Sequence, residues 1–157
     1  MEVKVKLLGE SKKLEVIKKG DWIDLYANKD MNLSNRGPNK VVYIPLGVAM
    51  QLPKGCEAYL VVRSSTPKKF GIISANSVGI IDNSYSGDTD EWALAVLPIR
   101  RTSIEKGDKI AQFRIQLSQK ATMWQKLKWL FSNKIKIKYV DSLSKTSRGG
   151  FGTTGTK

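Results

Sequence analysis

The stretch 111-AQFRIQL-117 alternates Ala111, Phe113, Ile115 and Leu117 with Gln112, Arg114 and Gln116. A period of two puts the apolar residues on one face of an extended chain and the polar ones on the other, so the run reads as a half-buried strand. The pattern recurs near both ends. Val3, Val5 and Leu7 alternate with Lys4 and Lys6, and Ile135, Ile137 and Tyr139 alternate with Lys134, Lys136 and Lys138. Between them lie the short β-rich runs 41-VVYIPLGV-48, 57-EAYLVV-62, 70-FGIISA-75 and 92-WALAVL-97. Turn chemistry separates these runs, in RGPN at 36–39, LPKG at 52–55, NSYSGD at 83–88 and EKGD at 105–108. Many short strands with few helical patterns predict an all-β sandwich or barrel.

One segment departs from this pattern. In 122-TMWQKLKWLFSNK-134, a helical projection gathers Met123, Trp124, Leu127, Leu130 and Phe131 on one side, with Lys126, Lys128 and Trp129 elsewhere. A basic insertion at about 119–138 with a short amphipathic helix is therefore expected. From Lys109 to Val140 there are eight cations and no acid. Three readings stay open: a helix packed on its own subunit with a solvated lysine face, a docking surface for an acidic protein or nucleic acid, or contact with a membrane surface.

The 157 residues suit one domain, whose core would bury roughly 70% of the unfolded chain's surface. Lysine and arginine number 27 against 14 acids, a net charge of +13 that favours nucleotides, nucleic acid or acidic partners. No apolar run approaches the ~20 residues of a membrane span and the N-terminus has no signal-peptide layout, so no membrane association and a cytoplasmic setting are expected. Cys56 is the only cysteine and reads as a small buried apolar residue. There is no histidine, which excludes Ser-His and Cys-His nucleophile pairs and imidazole metal sites within one chain. Any chemistry must rest on carboxylates, hydroxyls, arginines and a hard, oxygen-seeking cation.

Five segments carry such groups, in the order 24-DLYA-27, 63-RSST-66, 76-NSVGIIDNSYSGD-88, 107-GDKIAQ-112 and 147-SRGGFGTTGTK-157. The ordered set DLYA, RSS, N-x-x-G-x-I-D-x-x-Y-x-G, GDxIAQ and R-G-G-F-G-T-T-G resembles the five motifs of the homotrimeric dUTPase family, most closely the versions carried by phages and prophages. The resemblance runs from about residue 20 to 156. It implies a jelly-roll-like β-domain over 1–145, holding the insertion, and a glycine-rich C-terminal lid over 146–157 that is exchanged between subunits of a homotrimer. The implied reaction is hydrolysis of dUTP to dUMP and pyrophosphate with Mg²⁺.

The resemblance also implies roles. Asp82 would be the catalytic base that takes a proton from the water attacking the α-phosphorus, a role that positioning makes feasible for a carboxylate. Tyr85 would pack under the deoxyribose, where its ring leaves no room for a 2′-hydroxyl. Asn76 and the backbone of Gly79, Ile80 and Ile81 would read the uracil edge, leaving buried groups unpaired against cytosine. Arg63, Ser64 and Ser65 would hold the α- and β-phosphates, Gln112 the phosphates or their water, and Asp24 the magnesium through water. In the tail, Phe151 would stack on the uracil. Gly149, Gly150, Gly152 and Gly155 would let the backbone approach phosphate, while Arg148, Thr153 and Thr154 supply a cation and hydroxyl donors.

Two positions depart from many relatives: the tail arginine, Arg148, directly precedes the GGFG run, with Thr146 at the earlier place, and Trp22-Ile23 stand where small residues are common. Two rival functions stay open, although the tail motif and IDNSY argue against the first. One is a dCTP deaminase-like enzyme of the same fold with an RSS motif; the other is a regulatory protein that binds an acidic partner or nucleic acid through the insertion.

Overall fold

The computed structural model describes residues 1–15, 21–36, 41–131, 134–144 and 149. The turn expected at 36–39 lies mostly outside them, as do the tail residues Arg148, Gly150, Phe151, Gly152, Thr153, Thr154 and Gly155. The described residues form twelve short strands and two helices: β1 Glu2–Leu7, β2 Ile23–Tyr26, β3 Met31–Leu33, β4 Val42–Pro45, β5 Val48–Gln51, β6 Cys56–Val62, α1 Thr66–Phe70, β7 Ile72–Ser74, β8 Gly79–Ile81, β9 Ala93–Pro98, β10 Thr102–Ile104, β11 Lys109–Leu117, α2 Met123–Phe131 and β12 Lys136–Tyr139. They form sheets of order β12-β1-β5, β10-β3, β2-β11-β6-β8 and β4-β9-β7. The all-β expectation holds.

Strand β11 organises the four-stranded sheet β2-β11-β6-β8. Its alternation is realised: Ala111, Phe113 and Ile115 are buried while Gln112, Arg114 and Gln116 are half-exposed. Phe113 meets the fully buried Trp92 edge to face, with ring centroids 5.2 Å apart, a geometry that adds to burial of both rings. On its two sides β11 pairs antiparallel with β2 and with β6, over seven residues in the latter case. Arg114 lies over the ring of Trp22, its guanidinium carbon 5.4 Å from the centroid, while the neighbouring Ile23 is buried in the core. The Trp22-Ile23 pair is accommodated by that alternation.

Two apolar runs behave differently from their expectation. The run 41–48 is two strands, because the chain turns at Gly47 with φ +67°, where a Cβ would fall 2.0 Å from Ser11 Oγ. Phe70 ends α1 rather than starting a strand, and Gly71 closes that helix in the left-handed conformation.

Helix α2 is correctly placed but faces the other way. Met123, Trp124, Leu130 and Phe131, expected on the packed side, are exposed, whereas Trp129 packs against the core. The helix is fixed by its start. Thr122 Oγ1 accepts from the Gln125 amide at 3.3 Å, and Gln125 Oε1 accepts from the Thr122 amide at 2.7 Å, a capping box. Gln125 also lies over Gly55, where a Cβ would come within 2.4 Å of its Oε1. This contact turns the Gln125–Trp129 stripe toward the body.

After α2 the chain runs parallel to β1 as β12 and is then fastened to the 83–88 turn. Asp88 accepts from the Leu143 amide at 2.7 Å and the Ser142 hydroxyl at 2.9 Å, and pairs with Lys6 at 3.1 Å. Its own amide donates to Ser144 O at 2.9 Å. The Leu143 amide foremost, then Ser142 and Lys6, hold the Asp88 carboxyl below the usual carboxylate range. A depressed folded value contributes stability above the ordinary pKa and loses it as pH falls through the folded one. Docking of residues 142–144 is therefore expected to loosen below about pH 4. The Leu143 amide resonance, followed by NMR, should move through that range in the native chain and be displaced at all pH values in Asp88→Ala.

Candidate functional site

The register of β11 brings three of the five motifs together. Gln112 lies directly opposite Asp24 on β2, and on the other side β6 runs past Ala111 and Gln112 into Arg63. The Arg63 amide donates to Ile110 O at 3.3 Å, and the Thr66 hydroxyl to the same carbonyl at 2.8 Å, so the RSST loop is tied to the start of β11. Asp24 is 2% exposed, with Arg63 Nε at 2.8 Å from Oδ1 and Lys109 Nζ at 3.6 Å from Oδ2. The Arg63 N–H is not aligned with Oδ1, so this contact is ionic and Oδ1 accepts no hydrogen bond among the described residues. Ser64 and Ser65 are exposed, and Ser65 precedes α1 without a side-chain capping bond, so the helix does not consume its hydroxyl.

Lys109 and Glu15 were not singled out from the sequence. Lys109 Nζ bonds Glu15 Oε2 at 3.0 Å and stands over the ring of Tyr26 at 5.6 Å. The Glu15 hydrogen bond, more than the nearby charges, raises the lysine above its ordinary range, so it stays cationic. Its place in GDKIAQ was the available signal: the strand pairing sets Lys109 opposite Tyr26, beside Asp24.

The third motif lies elsewhere on the same sheet. Strand β8, carrying Gly79, Ile80 and Ile81, pairs with β6 and, among the described residues, forms the sheet's edge, with Ile80 exposed. Asn76 Oδ1 accepts from Ser74 Oγ at 3.0 Å, and its Nδ2 lies close to Gly79. Asp82 follows β8 and is oriented by Ser84, whose amide donates to Oδ1 at 2.7 Å and whose hydroxyl donates to the same oxygen. Tyr85 is half-buried against the core, its hydroxyl donating to Glu91 O at 3.0 Å. Burial first, then Asp90 and Glu91, push its phenol up, so the ring is a fixed neutral surface.

Within one chain these halves do not meet. Ile81 pairs with Ala58 and Arg63 lies five residues further along β6, so the register puts Asp82 and Arg63 about 20 Å apart. Among the described residues no group of three or more Asp, Glu, Cys or His could cage a metal ion. The donor set instead offers one buried carboxylate oxygen, Asp24 Oδ1, together with two cations and two hydroxyls. That combination suits a polyphosphate carrying its own hard cation.

A sheet with an open edge strand at one end and an arginine-hydroxyl loop at the other has groups that suit a flat base and phosphate, the marks of a nucleotide-binding β protein. The comparisons narrow the class. A family model described as dUTPase matches residues 19–155. The SPbeta prophage-derived deoxyuridine 5′-triphosphate nucleotidohydrolase of Bacillus subtilis is 42% identical over 158 residues, covering 100% of both chains. The deoxyuridine 5′-triphosphate nucleotidohydrolase of Neorickettsia sennetsu is 30% identical, covering 98% of this chain and 97% of its own. In structure, the chain is similar to the dUTPase of Streptococcus mutans, with TM-score 0.65 and 21% identity over 76% of this chain and 98% of that one. It is equally similar to a phage phi11 dUTPase of S. aureus, described with a structural Mg(II) ion, at TM-score 0.65 and 20% identity over 77% and 94%. The chain belongs to the dUTPase family.

The buried pairing of Asp24 gives a test that needs no substrate. Arg63→Met should lower the unfolding free energy by about 3 kcal/mol, since it strips a near-buried carboxylate of its closer counter-ion. Adding Asp24→Leu should restore much of the loss in urea unfolding. Equal stability of native chain and Arg63→Met would show that Lys109 alone suffices.

Proposed function

We propose that this chain is a dUTP diphosphatase, hydrolysing dUTP to dUMP and pyrophosphate. The observation that carries the reading is the β11 register, which sets Gln112 opposite Asp24 and beside the approach to Arg63, in a chain of the dUTPase family. The relatives are named as hydrolases of deoxyuridine triphosphate, which favours this over the deaminase alternative.

In this reading Arg63, Ser64, Ser65 and Gln112 bind the α- and β-phosphates by charge-assisted and hydroxyl hydrogen bonds. Asn76 and the outward backbone of Gly79–Ile81 bind the uracil edge, which an edge strand leaves accessible. The Tyr85 ring, pinned through Glu91, supports the deoxyribose and excludes a 2′-hydroxyl. Asp82, oriented by Ser84, accepts the proton as a water oxygen attacks the α-phosphorus, and the bond to the bridging oxygen breaks to release pyrophosphate. Mg²⁺ bound to the phosphates would offset their charge, and Asp24 would hold it through water. Arg148, Gly149, Gly150, Phe151, Gly152, Thr153 and Thr154 form the lid, with Phe151 on the uracil.

The separation of Asp82 from Arg63 supports a site completed by another copy, and a homotrimer is the assembly proposed. Sites built from two chains can be complemented. Asp82→Asn should lower turnover by about 10²–10⁴-fold while nucleotide binding survives. Ser64→Glu, which sets a charge against the phosphates, should fail to bind. Co-refolding the two variants should restore about a quarter of the sites, the statistical share for two-chain assembly. No recovery would place each site within one chain. Pyrophosphate release should be strong for dUTP, weak for UTP, dCTP and dTTP, and dependent on Mg²⁺; equal turnover of UTP would remove the role given to Tyr85.

A further inference from the structure

The exposed side of α2 is unlike the rest of the surface. On this nine-residue helix Met123 is 71% exposed, Trp124 81%, Leu130 75% and Phe131 88%, with Leu127 partly exposed between them. Their spacing of i, i+1, i+4, i+7 and i+8 is that of anchors entering an apolar surface. The helix is not loosely attached: the Thr122–Gln125 capping box and the packed Trp129 hold it in this orientation. Exposed Lys120, Lys126, Lys128, Lys134 and Lys136 surround it, and no acid occurs between 109 and 140. A contiguous apolar patch rimmed by one charge marks a docking site.

Charge decides among the occupants. The chain's own residues 145–157 carry Lys145, Arg148 and Lys157 and no acid, so they are repelled. A second copy brings a further net charge of +13, and its own 109–140 segment has no acid to answer the lysines. Nucleic acid would satisfy the lysines and leave the five apolar side chains in water. We infer that α2 docks an acidic, amphipathic helix of another protein, whose apolar stripe covers Trp124, Leu127 and Leu130 while its carboxylates face Lys126 and Lys128. The contact uses none of the residues assigned to the nucleotide and does not depend on turnover.

The test uses the full-length protein and two labelled helical peptides with the same leucine stripe, one otherwise rich in glutamate and the other in lysine. Fluorescence anisotropy should show the glutamate peptide binding at least about tenfold more tightly than its lysine twin, with the difference shrinking in high salt. Trp124→Ser/Leu130→Ser and Lys126→Glu/Lys128→Glu should each abolish binding while dUTP turnover, measured on the same samples, stays unchanged. The proposal is overturned if neither peptide binds, if both bind alike, or if the variants bind as the native chain does. Binding to phosphatidylglycerol vesicles in place of the peptide would assign the face to a lipid surface. A change of molar mass in Trp124→Ser/Leu130→Ser by light scattering would assign it to a second copy.

Discussion

Burial of Phe113 against Trp92 is the constraint on which the rest of the structure depends. A strand has only two faces, so seating Phe113 in the core commits Ala111 and Ile115 to the same side and Gln112 and Arg114 to the other. A slip of one residue would reverse every one of these choices, with Gln112 entering the core and Phe113 leaving it. The packing of two aromatic rings thus determines which polar side chain is presented beside Asp24. The geometry of the candidate site is inherited from hydrophobic register.

The charge distribution has two regimes. Around Asp24 the cations are few, close and partly sheltered, and each has a carboxylate to answer it; there they fix geometry. Along 120–138 they are many and exposed, and among the described residues only Lys138 approaches an acid, Glu2, at 4.0 Å. Exposed pairs of that kind contribute little to folding. Their collective field is better placed to attract an opposite charge from solution than to stabilise the subunit. A chain at +13 is therefore two electrostatic objects joined by one sheet.

Period-two alternation made β1, β11 and β12 legible, and β6 and β9 show as short β-rich runs. The three-residue strands β3 and β10 did not, because MNL and TSI are too short to display a period and exist only through mutual pairing. The site was legible as chemistry but not as geometry. Arg63, Asp24 and Gln112 could be named from their motifs, yet their union follows from strand order, which no local pattern encodes. Lys109 went unnoticed because lysine in a basic chain carries no distinguishing signal until a neighbour is found for it. The helix is the instructive reversal: amphipathicity located α2 but not its orientation, since Gln125 seated over Gly55 and Trp129 against the core turn the helix the other way.

The hold of Asp88 on Leu143 and Ser144 turns the C-terminus into a leash of known length. Whatever path the intervening residues take, Phe151 lies seven residues beyond Ser144, so its backbone stays within about 25 Å of that peg. Inserting residues between peg and ring would lengthen that reach, and deleting them would shorten it. The carboxylate at 88 thereby sets how far from the sheet the ring can be placed.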